Sequence, residues 1–209
     1  MQKILQNLKT NVTNPLHLPK PDVVMAPKAP EKYRQPTPDA TAAAVLICLY
    51  QREADGELFL PLIKRRVVKG DKHSGQISLP GGRYEEGDED YMMCALRETQ
   101  EEIGVPMNKV KVLGQLSELF VYASNFNVYP FIGMLQEKVE FVPETREVQS
   151  ILEVPVETLA LSSSIKKKDM YLREGVLKDV PYYDVQGEVV WGATAMILSE
   201  FLSYWKSSI

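Results

Sequence analysis

A short apolar run, Ile77-Ser78-Leu79, leads into Pro80-Gly81-Gly82 and then into a segment of helical periodicity holding Arg97, Glu98, Glu101 and Glu102. Proline followed by paired glycines, set between a strand and a helix, dictates a tight elbow whose backbone can approach whatever packs on it. At about 100° per residue, Glu98, Glu101 and Glu102 fall within a wedge of about 100° on one helix face. Met92, Ala95, Leu96, Thr99 and Ile103 gather on the other side. One face can therefore bury while the opposite face carries carboxylates beside the elbow. The helix is expected over about 89–103, with Asp88 as N-cap, Glu89 and Asp90 in the first turn, and Gly104 at its end.

Glutamate-rich helix faces are commonly just solvated, and Arg97 with Glu101 is an ordinary i, i+4 pair. The glycine elbow shifts the balance, because carboxylate and carbonyl oxygens together suit hard cations such as Mg²⁺ or Mn²⁺. Immediately upstream, Lys64, Arg65, Arg66, Lys69, Lys72 and His73 crowd a strand end and loop. That patch reads either as a solvated strand end or as a phosphate contact. Arg65 and Arg66 should point to opposite faces of the strand, so one of them would face a substrate. His73 would either donate to a phosphate or satisfy the loop backbone. The formal charge of −4 argues against nonspecific nucleic-acid binding, and an anionic substrate would need this local patch or a metal to be received.

The remaining pattern is α/β. Ile4, Leu5 and Leu8 predict a short helix over 1–10, and seven prolines in 14–39 predict an extended arm. Strands are expected at about 41–50, 58–65, 76–79, 109–119, 127–136, 148–154, 165–173, 178–185 and 187–191. A short helix is expected at 155–160, and a final one from 193 with Ala195, Leu198, Phe201, Leu202 and Trp205 packing on the sheet. Lys166-Lys167-Lys168 reads as an exposed strand edge. No apolar run is long enough to span a bilayer, so no membrane is expected as partner, and the net charge of −4 leaves no nucleic acid expected either. Cys48 and Cys94 sit in apolar contexts and read as core thiols of a reducing, cytoplasmic compartment. A symmetric homodimer is the prior expectation for any oligomer.

Gly82, Glu89, Arg97, Glu98, Glu101, Glu102, Gly104 and Val105 resemble the Nudix box of Nudix hydrolases, with two departures. Six residues instead of five separate Gly82 from Glu89, and Thr99 takes a usually apolar place. The longer spacing looks like the coenzyme A pyrophosphatase branch. So do the framework residues Leu62, Arg66, Gly75 and Pro80-Gly81-Gly82, although Lys64, Val67, Asp71 and Leu79 depart from that branch's upstream motif. Ser124 to Gly133, Glu147-Val148 with Val154-Pro155, and Val190 to Ala195 resemble further pieces of it in the same order.

The resemblance implies a Nudix-type α/β/α sandwich with a mixed central sheet over 40–209, preceded by the helix and proline-rich arm of 1–39. It implies a Mg²⁺- or Mn²⁺-dependent hydrolase cleaving a diphosphate, foremost that of coenzyme A, to 4′-phosphopantetheine and adenosine 3′,5′-bisphosphate. Glu98, Glu101, Glu102 and the Gly82 carbonyl are the expected metal ligands. Glu102, Glu101 or Glu147 would supply the general base. Arg65, Arg66, Lys69, Lys72 and His73 are the expected substrate contacts, while Arg97, Gly81 and Gly104 hold the motif's shape. A Nudix hydrolase of ADP-ribose, a dinucleotide or a nucleotide sugar, or a non-catalytic nucleotide sensor, remain alternatives.

Overall fold

Thr41–Gln51 (β1) is aliphatic from Ala42 to Ile47, and its side chains alternate between two cores. Ala44, Leu46 and Cys48 enter one core, and Ala43, Ile47 and Leu49 the other, as a strand covered on both faces requires. In this computed structural model the described residues are 2–13, 25–27, 35–52, 56–68, 74–172 and 175–209. Most of the proline-rich arm, together with Lys69, Asp71, Lys72 and His73, lies outside them.

Along the chain follow α1 (Gln2–Thr13), β1, β2 (Leu58–Arg65), β3 (Ile77–Ser78), β4 (Gly81–Arg83), α2 (Tyr91–Ile103) and β5 (Val110–Gln115). After them come β6 (Leu119–Val121), β7 (Phe126–Leu135), β8 (Val148–Pro155), α3 (Val156–Ala160), β9 (Ile165–Leu172), β10 (Gly175–Val185), β11 (Glu188–Trp191) and α4 (Gly192–Lys206). The main sheet runs β3-β2-β1-β7-β5, with β4 on β1, β6 on β7 and β8 on β2. β1 and β7 are parallel and the other pairs antiparallel, so the sheet is mixed. A smaller sheet has the order β11-β10-β9.

Helices cover both faces. α2 buries Cys94, Ala95, Leu96 and Ile103 against Leu46, Ile63 and Phe131. On the far side, α1 and α4 bury Leu8, Val12, Leu198, Phe201 and Trp205 against Ile47, Leu60 and Ile132. α1 sits close to β5, where a Cβ on Gly114 would lie 2.5 Å from Val12. Its Asn7 and Asn11 amides donate to the Ser208 carbonyl (3.1 Å) and the Ser208 hydroxyl (3.0 Å). The expected layering is therefore present.

Three boundaries differ from the sequence expectation. The strand expected over 109–119 breaks into β5 and β6. At the break, the Ser117 amide and hydroxyl leave the ladder and donate to Glu200 of α4, at 3.0 and 2.7 Å. Gly81–Arg83, read as a turn, is a strand paired with Ala43–Val45. The helix begins at Tyr91, because Asp90, not Asp88, is its N-cap and accepts from the Met93 amide at 2.8 Å.

Candidate active site

The elbow is held from both sides. The Pro80 carbonyl accepts from the Leu46 amide at 2.9 Å, and β4 then runs antiparallel to β1. Gly81 adopts φ +148°, and a Cβ there would lie 2.3 Å from the Ala44 carbonyl oxygen. Its amide donates to Glu102 Oε2 at 2.8 Å. A Cβ on Gly82 would stand 2.5 to 2.6 Å from the Glu98 carboxylate atoms. Two glutamates one turn apart thus rest their carboxylates on two consecutive glycines. No larger residue leaves them that room.

Arg97 locks the loop between elbow and helix. Its guanidinium donates to both oxygens of the buried Asp88 carboxylate (2.8 and 3.0 Å), to the Arg83 carbonyl (3.1 Å), to Glu98 (3.0 Å) and to Glu101 (3.1 Å). The Asp88 carboxylate also accepts from the Glu85 amide at 2.9 Å. The Arg97 hydrogen bond leads in holding the Asp88 carboxyl down at about 2. Asp88 is the residue that sequence reasoning misassigned. Five residues, 83–87, separate Gly82 from Asp88, and Glu89 beyond it is exposed. The additional residue of the motif therefore falls between the acid and Arg97.

The glutamates differ in surroundings. Glu102 is buried, with Arg65 at 3.8 Å from its Oε1. Burial above all, opposed by the Gly81 amide and Arg65 and reinforced by Glu98 and Glu147, lifts its carboxyl to about 8. Burial is also the leading cause that raises the Glu98 carboxyl, with Glu101 and Glu147 adding to it against Arg97. Glu101 is exposed and bound to Arg97, so the fold gathers Glu98 and Glu102 at the glycines and leaves Glu101 outside. Glu147 arrives on a separate loop stitched to the C-terminus of α2. The Val142 amide donates to the Ile103 carbonyl (3.0 Å), and the Glu144 amide to the Glu102 carbonyl (2.9 Å). These donors occupy carbonyls that a helix end otherwise leaves unpaired. Gly104 continues the cap at φ 73°, its amide on the Gln100 carbonyl at 2.9 Å.

Of the basic patch, Arg65 faces Glu102, whereas Arg66 donates to the Thr145 carbonyl. Arg66 lines an open cleft of about 410 Å³ with Val67, Thr145, Val148 and Gln149. Lys64 is engaged by Glu188 of β11 at 2.5 Å. Lys69, Lys72 and His73 fall outside the described residues.

Among the described residues, no three His, Cys, Asp or Glu side chains stand ready as a metal cage. The donor chemistry nevertheless fits a hard divalent cation. Burial raises both carboxyls, Glu98 adds to the rise at Glu102, and a dication beside them would offset the cost of holding both as carboxylates. Glu101 would have to exchange Arg97 for the metal to join them.

Comparison with known proteins matches residues 40–173 to the family model described as NUDIX domain. Nudix hydrolase 15, mitochondrial, of Arabidopsis thaliana is 38% identical over 163 residues, covering 75% of this chain and 55% of the relative. The uncharacterized Nudix hydrolase NudL of Yersinia pestis is 32% identical over 137 residues, covering 66% of this chain and 68% of that protein. With 55% and 52% of the two Arabidopsis relatives covered, the chain spans about half the length of those it matches. Among solved structures, RenU, a Nudix hydrolase from M. smegmatis, is similar with a TM-score of 0.47 at 21% identity, over 58% of this chain and 74% of that one.

Proposed function

The chain belongs to the NUDIX family, and from that premise we propose that it hydrolyses a diphosphate linkage with a divalent cation, Mg²⁺ or Mn²⁺, as cofactor. The observation that carries this reading is the pair of carboxylates, Glu98 and Glu102, resting on Gly81 and Gly82. Glu98, Glu102, Glu101 released from Arg97, and the Gly82 carbonyl would hold the cation. Such a cation, when bound, supplies Lewis acidity that neutralises diphosphate oxygens and acidifies water.

The chain's own groups do the rest. Arg65 and Arg66 draw the anionic diphosphate toward the elbow against the overall negative charge. Glu102 is already committed to the Gly81 amide and Arg65, whereas Glu147 is exposed beside the pair on its own loop. Glu147 is therefore the proposed general base. Its carboxylate takes a proton from water as the water oxygen bonds to one phosphorus and the bond from that phosphorus to the bridging oxygen breaks. The second phosphate departs with that oxygen. Arg97 orients Glu98 and Glu101 through Asp88 and does not touch substrate.

Coenzyme A is the first substrate proposed, on the spacing around Gly82 and the upstream framework residues. A second reading, another nucleoside diphosphate compound, is favoured by Lys64. That residue departs from the coenzyme A pattern and is held by Glu188. A cytoplasmic location, consistent with the free, buried thiols Cys48 and Cys94, and a homodimer complete the proposal.

Product analysis by mass spectrometry across coenzyme A, acetyl-coenzyme A, ADP-ribose, NADH and a nucleotide sugar tests the substrate. Adenosine 3′,5′-bisphosphate from coenzyme A is expected, and its absence while another compound disappears overturns that choice. Glu98→Gln and Glu147→Gln should each cut turnover by at least about 100-fold in folded protein. Near-normal turnover removes that residue from the mechanism.

A further inference from the structure

A buried hydroxyl next to the glycine elbow has nothing in the protein to bond to. Ser78 of β3 lies between Ile77 and Leu79, whose side chains enter the core beneath α1 and α4. Alternation along the strand therefore turns Ser78 to the opposite face, the one that α2 covers. The register agrees. Ser78 pairs with Ile63, which lies in the core beneath α2, and Arg65 follows Ile63 on that same face. Arg65 stands 3.8 Å from Glu102, whose carboxylate accepts from the Gly81 amide at 2.8 Å, just beyond Ser78 in the chain. The hydroxyl thus shares a face with the charged groups of the candidate site.

Among the described residues, Ser78 Oγ is the one buried hydroxyl without a hydrogen-bond partner. Comparable groups are satisfied within the fold. Thr99 donates to the Ala95 carbonyl (2.6 Å), Ser164 to the Leu161 carbonyl (2.6 Å) and Ser208 to the Tyr204 carbonyl (2.7 Å). An enclosed hydroxyl that bonds to nothing gives up its hydration without return. Alanine would fill the position without that penalty, and a β-branched aliphatic residue would suit the strand better. The fold by itself gains nothing from this oxygen, so its partner belongs to a complex.

Neighbouring groups decide what that partner is. The Arg65 side chain is 32% exposed and carries a guanidinium, the cation best shaped for a phosphate. A phosphoryl oxygen accepts from a guanidinium and from a hydroxyl at once, whereas an apolar group would leave the hydroxyl as unsatisfied as before. We infer that Ser78 is a substrate contact, its hydroxyl donating to an oxygen of the diphosphate that Arg65 receives. Arg65 turns from Glu102 to the entering anion and so opens the way to the hydroxyl. The inference rests on the diphosphatase reading and adds a residue to it.

The test compares the full chain with Ser78→Ala and with Ser78→Cys, which keeps the shape but offers only a weak donor. Isothermal titration with methylenediphosphonate in Mg²⁺ reads binding apart from turnover, because the bridging carbon resists hydrolysis. Loss of one hydrogen bond to a charged group corresponds to about 10- to 100-fold in affinity. Both variants should weaken binding to that extent and lower kcat/KM for the diphosphate substrate in parallel. The urea midpoint of ligand-free Ser78→Ala should equal or exceed the parent's, since no bond is lost. The inference is overturned by a parent that does not bind the diphosphonate, or by variants that match the parent in binding and kcat/KM. Parent-like binding by Ser78→Cys alone would overturn it by assigning the effect to packing, and a lowered midpoint for Ser78→Ala by revealing a partner within the fold. A parent that binds the diphosphonate and cleaves no diphosphate refutes the hydrolase reading instead.

Discussion

Glu102→Gln should make the metal-free protein more stable at pH 8 while leaving it unchanged at pH 4.5. Burial raises the Glu102 carboxyl from 4.5 to about 8. The folded state therefore holds a proton that the unfolded chain releases throughout that window. Stability from this group is fully present below pH 4.5 and is lost as pH rises to about 8. A gap of about 3.5 units, at about 1.4 kcal/mol each, amounts to about 5 kcal/mol, of which about 3 is gone by pH 7. Glutamine keeps the shape, still accepts from the Gly81 amide and never ionises. Urea unfolding in chelator, from about pH 5 to pH 8.5, should show parent and variant diverging toward the variant's advantage. Adding divalent cation at about 100 times its Kd should restore about 2.7 kcal/mol to the parent at pH 8 and less to the variant. Parallel stability curves across the range would refute the claim that burial outweighs the Gly81 amide and Arg65 at this carboxyl.

Gly82→Ala should reduce turnover by about 100-fold with the circular dichroism spectrum retained, since its Cβ would displace the Glu98 carboxylate it meets at 2.5 Å. Parent-like kinetics would show that the contact does not position Glu98. Asp88→Asn should lower unfolding free energy by about 2 kcal/mol near pH 7 by removing the most buried of the three carboxylates paired with Arg97. Because the Asp88 carboxyl is held at about 2, the stabilisation is present above 3.8 and lost as pH falls toward 2, where the variant and parent should converge. An equal deficit at both extremes would assign the effect to packing.

Much of this architecture is written in local pattern. β1, β2 and β7 were legible because aliphatic runs of strand length admit little else, and α2 and α4 because their buried residues recur at helical spacing. The two glycines announced a close approach, and the carboxylates of Glu98 and Glu102 are what approaches. What stayed hidden depends on contacts distant in sequence. Asp88 looked like a cap because a cap requires only its neighbours, whereas its pairing with Arg97 requires the whole loop to close. Likewise, nothing near Lys64 foretold Glu188, and nothing near Ser117 foretold Glu200. Glu101 shares a helix face with the other two glutamates, yet that face is curved. Arg97 holds its outer margin away from the elbow.

The two amides that bind the carbonyls at the end of α2 have a mechanical consequence. Helix and loop share one frame there, so a tilt of the helix carries Glu147 with it, and the spacing between the opposing acids survives thermal motion. Hydrogen exchange at Val142 and Glu144 should accordingly be slow and keep pace with the helix, unlike that of an ordinary surface loop.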